Sequence, residues 1–281
     1  MKQLSAVLFL LFVAAAAFSQ APESKWAMFD GSKVHYYETG NPKTDNAIIL
    51  IHCWSCNADF WKDSFNAFPS FRVISVDLPG HGKSEAPYLH YSMEHLARAV
   101  EAVLRQAKVR KAVLVGHSMG SVVARQFYKQ FPSKTAAIVI VDMPVQSLGS
   151  EGDMKKFTDS VTSNFPKSAE GFVDGLVASI RDKELKAFIR RTMLSTPKHV
   201  AVGSMNEIFV AENWGPEMID VPMLAIAAKS GDWQPSKEHF LKVAPKVEFQ
   251  LWTDVGHFLQ MEQPTRFNGQ VKGWIMRNNL L

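Results

Sequence analysis

The sequence predicts an α/β protein built on a mostly parallel β-sheet, and three observations support this fold class. Short apolar runs recur along the 281-residue chain, and such runs suit strands that helices cover on both faces. Amphipathic helical patterns separate these runs, so that strand, helix and strand alternate. The segment 144–216 breaks this alternation, because it holds several short helical patterns and no convincing buried strand. We therefore expect a helical cap, inserted after the sixth strand of an eight-stranded sheet.

The eight expected strands comprise an early hairpin and six buried runs. The hairpin-like stretch MFDGSKVHYYETG, residues 28–40, predicts antiparallel strands at the edge of the sheet. The buried runs should form the parallel part, with right-handed crossovers between them. They occupy residues 47–52, 71–77, 111–116, 136–142, 223–229 and 247–252.

Helical patterns fill most of the spaces between these strands. SMEHLARAVEAVLRQAKV carries an apolar stripe, and Ser92 is its expected N-cap. SVVARQFYKQF follows the run at 111–116 and ends before Pro132. Four short patterns make up the inserted segment, which should sit over one end of the sheet and could line a pocket. Its larger apolar side chains are Phe157, Phe165, Phe172, Met193, Met205, Phe209 and Trp214.

The N-terminus has the layout of a signal peptide. Lys2 precedes an apolar run that ends in small residues, and the run is shorter than the roughly 20 residues that span a bilayer. We expect residues 1–19 to be removed after Ser19, leaving no membrane span, with an uncleaved anchor as the alternative. The folded part would then be exported, periplasmic or secreted. It would consist of a core, residues 20–143 and 217–281, and the cap, residues 144–216.

Composition excludes one class of partner. The net charge is +4, from 31 basic and 27 acidic residues, and no long basic run indicates binding to nucleic acid.

The two cysteines, Cys53 and Cys56, form a C-x-x-C pair beside His52. A metal site would need further ligands at suitable spacing, and the sequence offers none. No metal or organic cofactor is therefore implied.

The stretch VLVGHSMGSVV predicts a nucleophile. Ser118 lies between Gly116 and Gly120, after an expected strand and before an expected helix, which is the G-x-S-x-G pattern of a nucleophile on a tight turn. The following helix would direct its N-terminal dipole toward developing negative charge. Ser118 is therefore the expected nucleophile.

A serine nucleophile needs a base, and four histidines are candidates. His257 follows the last expected strand, and in a parallel sheet such loops gather where ligands bind. His52 and His81 lie in loops at the same end of the sheet, whereas His117 should point away from Ser118. His257 is the favoured base.

The base needs an acid to orient it. Asp232 follows the seventh strand and is favoured, with Asp142, at the end of the sixth strand, as its rival. Asp77, in VDLPGHGKS, is expected to hold a glycine-rich turn.

Together these motifs resemble the α/β-hydrolase superfamily across nearly the whole mature chain. The similar stretches are LIHCWSCNADFW, VDLPGHGKS, GHSMG, GDWQP and GHFLQMEQP. The resemblance implies a Ser-Asp-His order of catalytic residues, met by Ser118, Asp232 and His257. It also implies that the backbone N–H groups of Trp54 and Met119 form the oxyanion hole.

One position departs from the family pattern. Cys53 stands where the family usually has a glycine after the histidine, so the cysteine pair belongs to the expected oxyanion loop and is not primarily a redox motif. Whether Cys53 and Cys56 are disulfide-bonded or free stays open at this point. A disulfide that closes so short a loop would add little chain-entropy stabilisation. Its main effect would be to fix the position of the Trp54 N–H.

The resemblance therefore implies an enzyme that cleaves carboxylic esters of small molecules through an acyl-enzyme intermediate. The alternatives are a lactonase, an amidase, a carbon–carbon bond hydrolase, or a ligand sensor of this fold with slow turnover. An aspartate nucleophile is disfavoured because position 118 is serine. The natural substrate, its acyl chain length and the oligomeric state stay open.

Overall fold

A computed structural model describes residues 21–146, 149–215, 217–229 and 235–281 of the chain. Its eight strands form a single sheet in the order β1-β2-β4-β3-β5-β6-β7-β8. The expected α/β fold class is confirmed, whereas the predicted signal peptide lies outside the described residues. The strands are β1 (Glu23–Phe29), β2 (Ser32–Gly40), β3 (Asn46–Ile51), β4 (Arg72–Val76), β5 (Lys111–His117), β6 (Thr135–Val141), β7 (Met223–Ala228) and β8 (Val247–Trp252).

The early hairpin is longer than the sequence indicated. β1 begins at Glu23, five residues before the predicted hairpin, and pairs antiparallel with β2. β2 in turn pairs antiparallel with β4, so that of the two hairpin strands only β1 lies at an edge of the sheet, and β8 forms the opposite edge. The pairings from β4 through β3 and β5 to β8 are all parallel. The carboxyl ends of these six strands therefore lie at the same end of the sheet.

Two hydrophobic clusters, one on each face of the sheet, hold the helices in place. In β3, Ile49 and Ile51 belong to one cluster, and Ile48 and Leu50 belong to the other, as the two-residue period of a strand requires. The helices are α1 (Met93–Gln106), α2 (Met119–Gln130), α3 (Glu151–Thr162), α4 (Lys167–Leu176), α5 (Lys183–Leu194), α6 (Lys198–Ile208), α7 (Lys237–Leu241), α8 (Leu259–Glu262) and α9 (Pro264–Arg277).

Helix α1 begins where the sequence predicted. The Ser92 hydroxyl accepts a hydrogen bond from the His95 N–H at 3.1 Å, which satisfies one of the donors left free in the first turn. Leu96 and Val100 are fully buried on the stripe that faces the sheet. Helix α1 thus covers the face of the sheet that α2 also covers, because both helices contribute to the same cluster.

The helices α3 to α6 lie between β6 and β7, where the cap was predicted. A short 3-10 helix, Ala211–Trp214, follows them, and residues 149–215 contain no strand. Cap side chains such as Phe165 and Ile189 join the cluster on the α1 and α2 face. The cap is therefore packed onto the core through apolar contacts. None of the helices in the described parts of the chain is long and apolar enough to cross a membrane.

Asp77 holds the glycine-rich turn after β4. Its carboxylate accepts hydrogen bonds from the Ala58 N–H at 2.6 Å, the Lys83 N–H at 2.9 Å and His35 Nδ1 at 2.8 Å. Burial acts to raise the pKa of Asp77, but these hydrogen bonds hold it below its usual range. Gly82 has a φ of +55°, and a Cβ there would collide with the Asp77 carboxylate. Asp77 is thus structural, as the sequence indicated.

Candidate active site

Three polar side chains line one cavity at the carboxyl ends of the parallel strands. Ser118 follows β5, Asp142 follows β6, and His257 lies in the loop after β8. All three line a cavity of about 520 Å³ between the sheet and the cap. This cavity is the candidate active site, because it joins a hydroxyl, an imidazole and a carboxylate in one concave place.

Ser118 lies on the strained turn that the sequence predicted. Its φ of 51° and ψ of −120° fall outside the regions that a serine normally adopts. A Cβ at Gly116 would collide with the Gly120 carbonyl, and a Cβ at Gly120 would collide with the Ile51 carbonyl. The two glycines therefore let the turn pass close to β3. The turn presents Ser118 to the cavity at the N-terminus of α2.

His257 is bound by Asp142. Its Nδ1 atom lies 2.7 Å from Asp142 Oδ2, and because an ionised carboxylate only accepts, the ring donates from Nδ1. Asp142 is itself buried, and its other oxygen accepts the Ala228 N–H at 2.8 Å. The Asp142 φ of 47° lies in the left-handed region that aspartate tolerates better than most residues. The proton on Nδ1 leaves Nε2 of His257 free to act as a base.

The prediction that Asp232 orients His257 is corrected to Asp142. Asp232 itself lies outside the described residues. Nδ1 carries one hydrogen, and Asp142 already accepts it at short distance, so the orienting position is filled. β6 and β7 are neighbours in the sheet, and for that reason acids at the ends of either strand were plausible from sequence. Asp142 also preserves the Ser-Asp-His order along the chain.

His117 supports the loop that carries His257. Its Nε2 donates to the His257 carbonyl at 2.7 Å, and its Nδ1 accepts from Gln260 Nε2 at 3.2 Å. Burial, reinforced by the neighbouring His257, holds the pKa of His117 well below its ordinary value. This histidine is therefore neutral. Sequence reasoning set it aside as a base but gave it no role.

His52 and His81 are also fixed in neutral forms. His52 Nε2 accepts the Leu78 N–H at 3.0 Å, and its Nδ1 donates to the Cys53 carbonyl at 2.8 Å. Burial lowers the pKa of His52, and it lowers the pKa of His81 to about 3 with help from the nearby His52. Neither ring is among the described residues that line the cavity. His257 is therefore the histidine available as a base.

The expected oxyanion loop lies beside Ser118. Cys53 and Trp54 line the cavity, and Met119 is the first residue of α2, where backbone N–H groups lack helical partners. The Trp54 indole donates to the Ala201 carbonyl of α6 at 2.8 Å, which ties this loop to the cap. The loop is therefore anchored to helix α6 of the cap.

Cys53 and Cys56 form a disulfide across a tight turn. The Cys56 N–H donates to the Cys53 carbonyl at 3.2 Å, and Ser55 between them has a φ of 55°. The alternative that the sequence left open, two free thiols, is not what the structure contains. The bond restrains the backbone on both sides of Trp54.

Apart from Ser179, the other side chains that line the cavity are apolar. Five of the seven large cap side chains singled out in the sequence line it, whereas Phe165 and Trp214 pack elsewhere in the apolar core. No lysine or arginine is among its described lining residues, and the described residues contain no cluster of three or more metal-ligating side chains. Lining residues that the sequence did not indicate include Met143, Pro144, Leu176, Ser179 and Ile208.

Comparisons with known proteins support the fold described above. A family model described as alpha/beta hydrolase fold matches residues 46–199. A 2-hydroxy-6-oxononadienedioate/2-hydroxy-6-oxononatrienedioate hydrolase of Paraburkholderia phymatum is 27% identical, covering 84% of this chain and 88% of that protein.

Solved structures share the fold. Est816, described as an N-acyl homoserine lactone degrading enzyme, is 25% identical with a TM-score of 0.74, over 89% of this chain and 100% of its own. An esterase from Exiguobacterium antarcticum reaches a TM-score of 0.80 at 18% identity, over 90% of this chain and 100% of its own, which bears on the fold alone.

The disulfide leads to a prediction about the loop that carries it. Cys53→Gly removes the bond and adds backbone freedom beside Trp54, but it touches none of the three residues at the centre of the site. Hydrolysis of a p-nitrophenyl ester should stay within about tenfold of wild type, or about 1.4 kcal/mol of barrier. Ser118→Ala serves as the reference for complete loss. A folded Cys53→Gly protein as inactive as Ser118→Ala would make the cysteine pair part of the chemistry.

Proposed function

The chain belongs to the alpha/beta hydrolase family, and on that premise we propose that it is a serine hydrolase that cleaves carboxylic esters through an acyl-enzyme. The observation that carries this proposal is the hydrogen bond from His257 to Asp142 at 2.7 Å, in the cavity that Ser118 also lines. A serine on a nucleophile turn, a histidine with a free Nε2 and a buried carboxylate are the parts that acyl transfer requires.

In the proposed mechanism, the Ser118 hydroxyl attacks the ester carbonyl while His257 Nε2 accepts its proton. The hydrogen bond to Asp142 stabilises the imidazolium that forms. The tetrahedral intermediate collapses, the bond to the alcohol breaks, and His257 donates its proton to the leaving oxygen. Water then attacks the acyl-enzyme with His257 again as base, which releases the acid and restores Ser118.

The developing negative charge on the carbonyl oxygen needs donors fixed in advance. We assign this role to the backbone N–H groups of Trp54 and Met119, which flank Ser118 on the β3 loop and at the start of α2. Removal of one donor of this kind can cost roughly 10²–10³ in turnover. The disulfide and the indole contact to Ala201 support the first of these donors.

The lining of the cavity favours an uncharged substrate. Phe157, Phe172 and Phe209 from the cap face the space above Ser118, and apolar surface of this kind binds acyl or alkyl groups. The dioate substrates named for the Paraburkholderia phymatum relative carry two carboxylates. An apolar cavity would have to remove water from these charges, and no lysine or arginine among its described lining residues could pair with them. This argues for an ester and against a carbon–carbon bond hydrolase of such acids.

A lactonase is the second candidate. The described lining suits an uncharged acyl chain, and Est816, at 25% identity, is described as degrading N-acyl homoserine lactones. The same triad opens a cyclic ester, since the leaving alcohol merely stays attached to the acyl group. Turnover of a lactone and of a p-nitrophenyl ester with the same acyl chain, measured side by side, separates the two candidates.

The proposal predicts that Ser118 is the site of covalent catalysis. A fluorophosphonate probe should label the wild-type protein at Ser118, and Ser118→Ala should lose both labelling and nearly all ester turnover, because only the serine hydroxyl forms the acyl-enzyme. Ser121→Ala is a matched control and should keep the label, because Ser121 lies in the first turn of α2 and its hydroxyl donates to the Gly116 carbonyl. Labelling that persists in Ser118→Ala would refute the assignment, and slow turnover of every ester would favour a ligand sensor.

We also propose that the protein acts outside the cytoplasm. A disulfide beside the active site is compatible with an oxidising compartment, and the first 19 residues have the pattern of a signal peptide. Cell fractionation should recover a chain that begins at Gln20 from the periplasm or medium. Recovery of the full-length chain from the cytoplasm would contradict export.

A further inference from the structure

Glu262 contacts the loop of His257 but has no part in the mechanism above. It ends α8, is half-buried, and its Oε1 accepts the Gly256 N–H at 2.9 Å. Gly256 immediately precedes His257 and lines the cavity. The carboxylate is therefore joined to the backbone one residue from the proposed base.

The loop is held at three points by three different elements. Asp142, after β6, binds the His257 ring; His117, at the end of β5, binds the His257 carbonyl; and Glu262, from α8, binds the preceding N–H. The hydrogen bonds to the ring and the carbonyl do not by themselves fix the peptide before His257. Glu262 supplies that restraint.

Glu262 also brings a negative charge toward the base. Burial raises the pKa of Glu262, the Gly256 hydrogen bond opposes that rise, and the charges of Asp142 and His257 act on it in opposite directions. Electrostatic interaction is mutual, so an ionised Glu262 favours the protonated form of His257. Because His117 is neutral, Asp142 and Glu262 are the two carboxyl groups among these three holders of the loop.

We propose that Glu262 is a positioning residue for His257, holding its loop through Gly256 and stabilising its imidazolium with a second negative charge. This inference rests on the proposed function, since it assigns a purpose to a group that acts through the base. During turnover the imidazolium forms with the tetrahedral intermediate. A second carboxylate near it therefore lowers the barrier.

Two variants separate the two contributions. Glu262→Gln keeps an oxygen that can accept the Gly256 N–H but removes the charge, and Glu262→Ala removes both. Asp254→Asn is the matched control, because Asp254 lies in the same loop but is exposed and paired with Arg266. Water and salt screen its charge from His257.

The measurement is the pH profile of kcat/KM for a p-nitrophenyl ester. Without the Glu262 charge, His257 loses its proton more readily. The acid limb of the kcat/KM profile should therefore move about half a pH unit lower in Glu262→Gln. The plateau of that variant should fall by about threefold or less, since a His257 of lower pKa is a weaker base. In Glu262→Ala the plateau should fall by at least a further tenfold, because the loop loses its restraint. The profile of Asp254→Asn should coincide with wild type.

The outcomes separate this inference from the proposed function. If Ser118→Ala is inactive but the acid limb of Glu262→Gln coincides with wild type, the proposal for Glu262 is wrong and the triad stands. A profile that moves equally in Asp254→Asn would also overturn it, because the effect would then be general. If Ser118→Ala keeps its turnover, the proposed function fails first. Should Glu262→Ala not fold, the near-isosteric Gln variant alone decides the charge effect.

Discussion

The hydrogen bond between His257 Nδ1 and Asp142 Oδ2 joins two loops that lie 115 residues apart in the chain. It requires that the loops after β6 and β8 lie at the same end of the sheet, and the parallel pairing of β6, β7 and β8 places them there. Burial strengthens this hydrogen bond, and Asp142 is buried with its second oxygen satisfied by the Ala228 N–H. The remaining parts of the site are arranged around this contact.

Buried groups with single, fixed hydrogen-bonding roles surround it. His117 and His52 are both neutral because burial disfavours their charged forms. In each ring both nitrogens are hydrogen-bonded to backbone groups or to a side-chain amide. They act as rigid supports, one for the His257 loop and one for the oxyanion loop. His257 alone among these histidines combines a carboxylate partner with a position on the cavity. Preorganisation of this kind limits the motion of the reacting groups.

Much of this arrangement could be predicted from the sequence. The apolar runs placed six strands within one or two residues of their observed bounds, and the glycines at 116 and 120 identified the turn of Ser118. The periodic patterns located the four cap helices between β6 and β7. These successes share a cause, since each depends on local periodicity or on a steric demand made by neighbouring residues.

The choice between Asp142 and Asp232 could not be made that way. Both aspartates follow strands that are neighbours in the sheet, so spacing and chain order suit either one. The decision depends on the backbone of Asp142, whose φ of 47° accompanies the turn of its carboxylate toward His257 and Ala228. The contact of Glu262 with Gly256 could not be predicted from the sequence either, because it depends on how α8 packs against the loop of His257. Long-range contacts of this type leave no periodic signal.

The central claim is that Asp142 is the carboxylate that orients the base. Its most direct test compares kcat/KM for a p-nitrophenyl ester in Asp142→Asn and Asp232→Asn, both verified as folded. The account predicts a loss of roughly 10⁴-fold for Asp142→Asn, because an amide cannot stabilise the imidazolium and favours the wrong tautomer. It predicts a change of less than about tenfold for Asp232→Asn, or less than about 1.4 kcal/mol of barrier. The reverse pattern, with the large loss in Asp232→Asn, would contradict it.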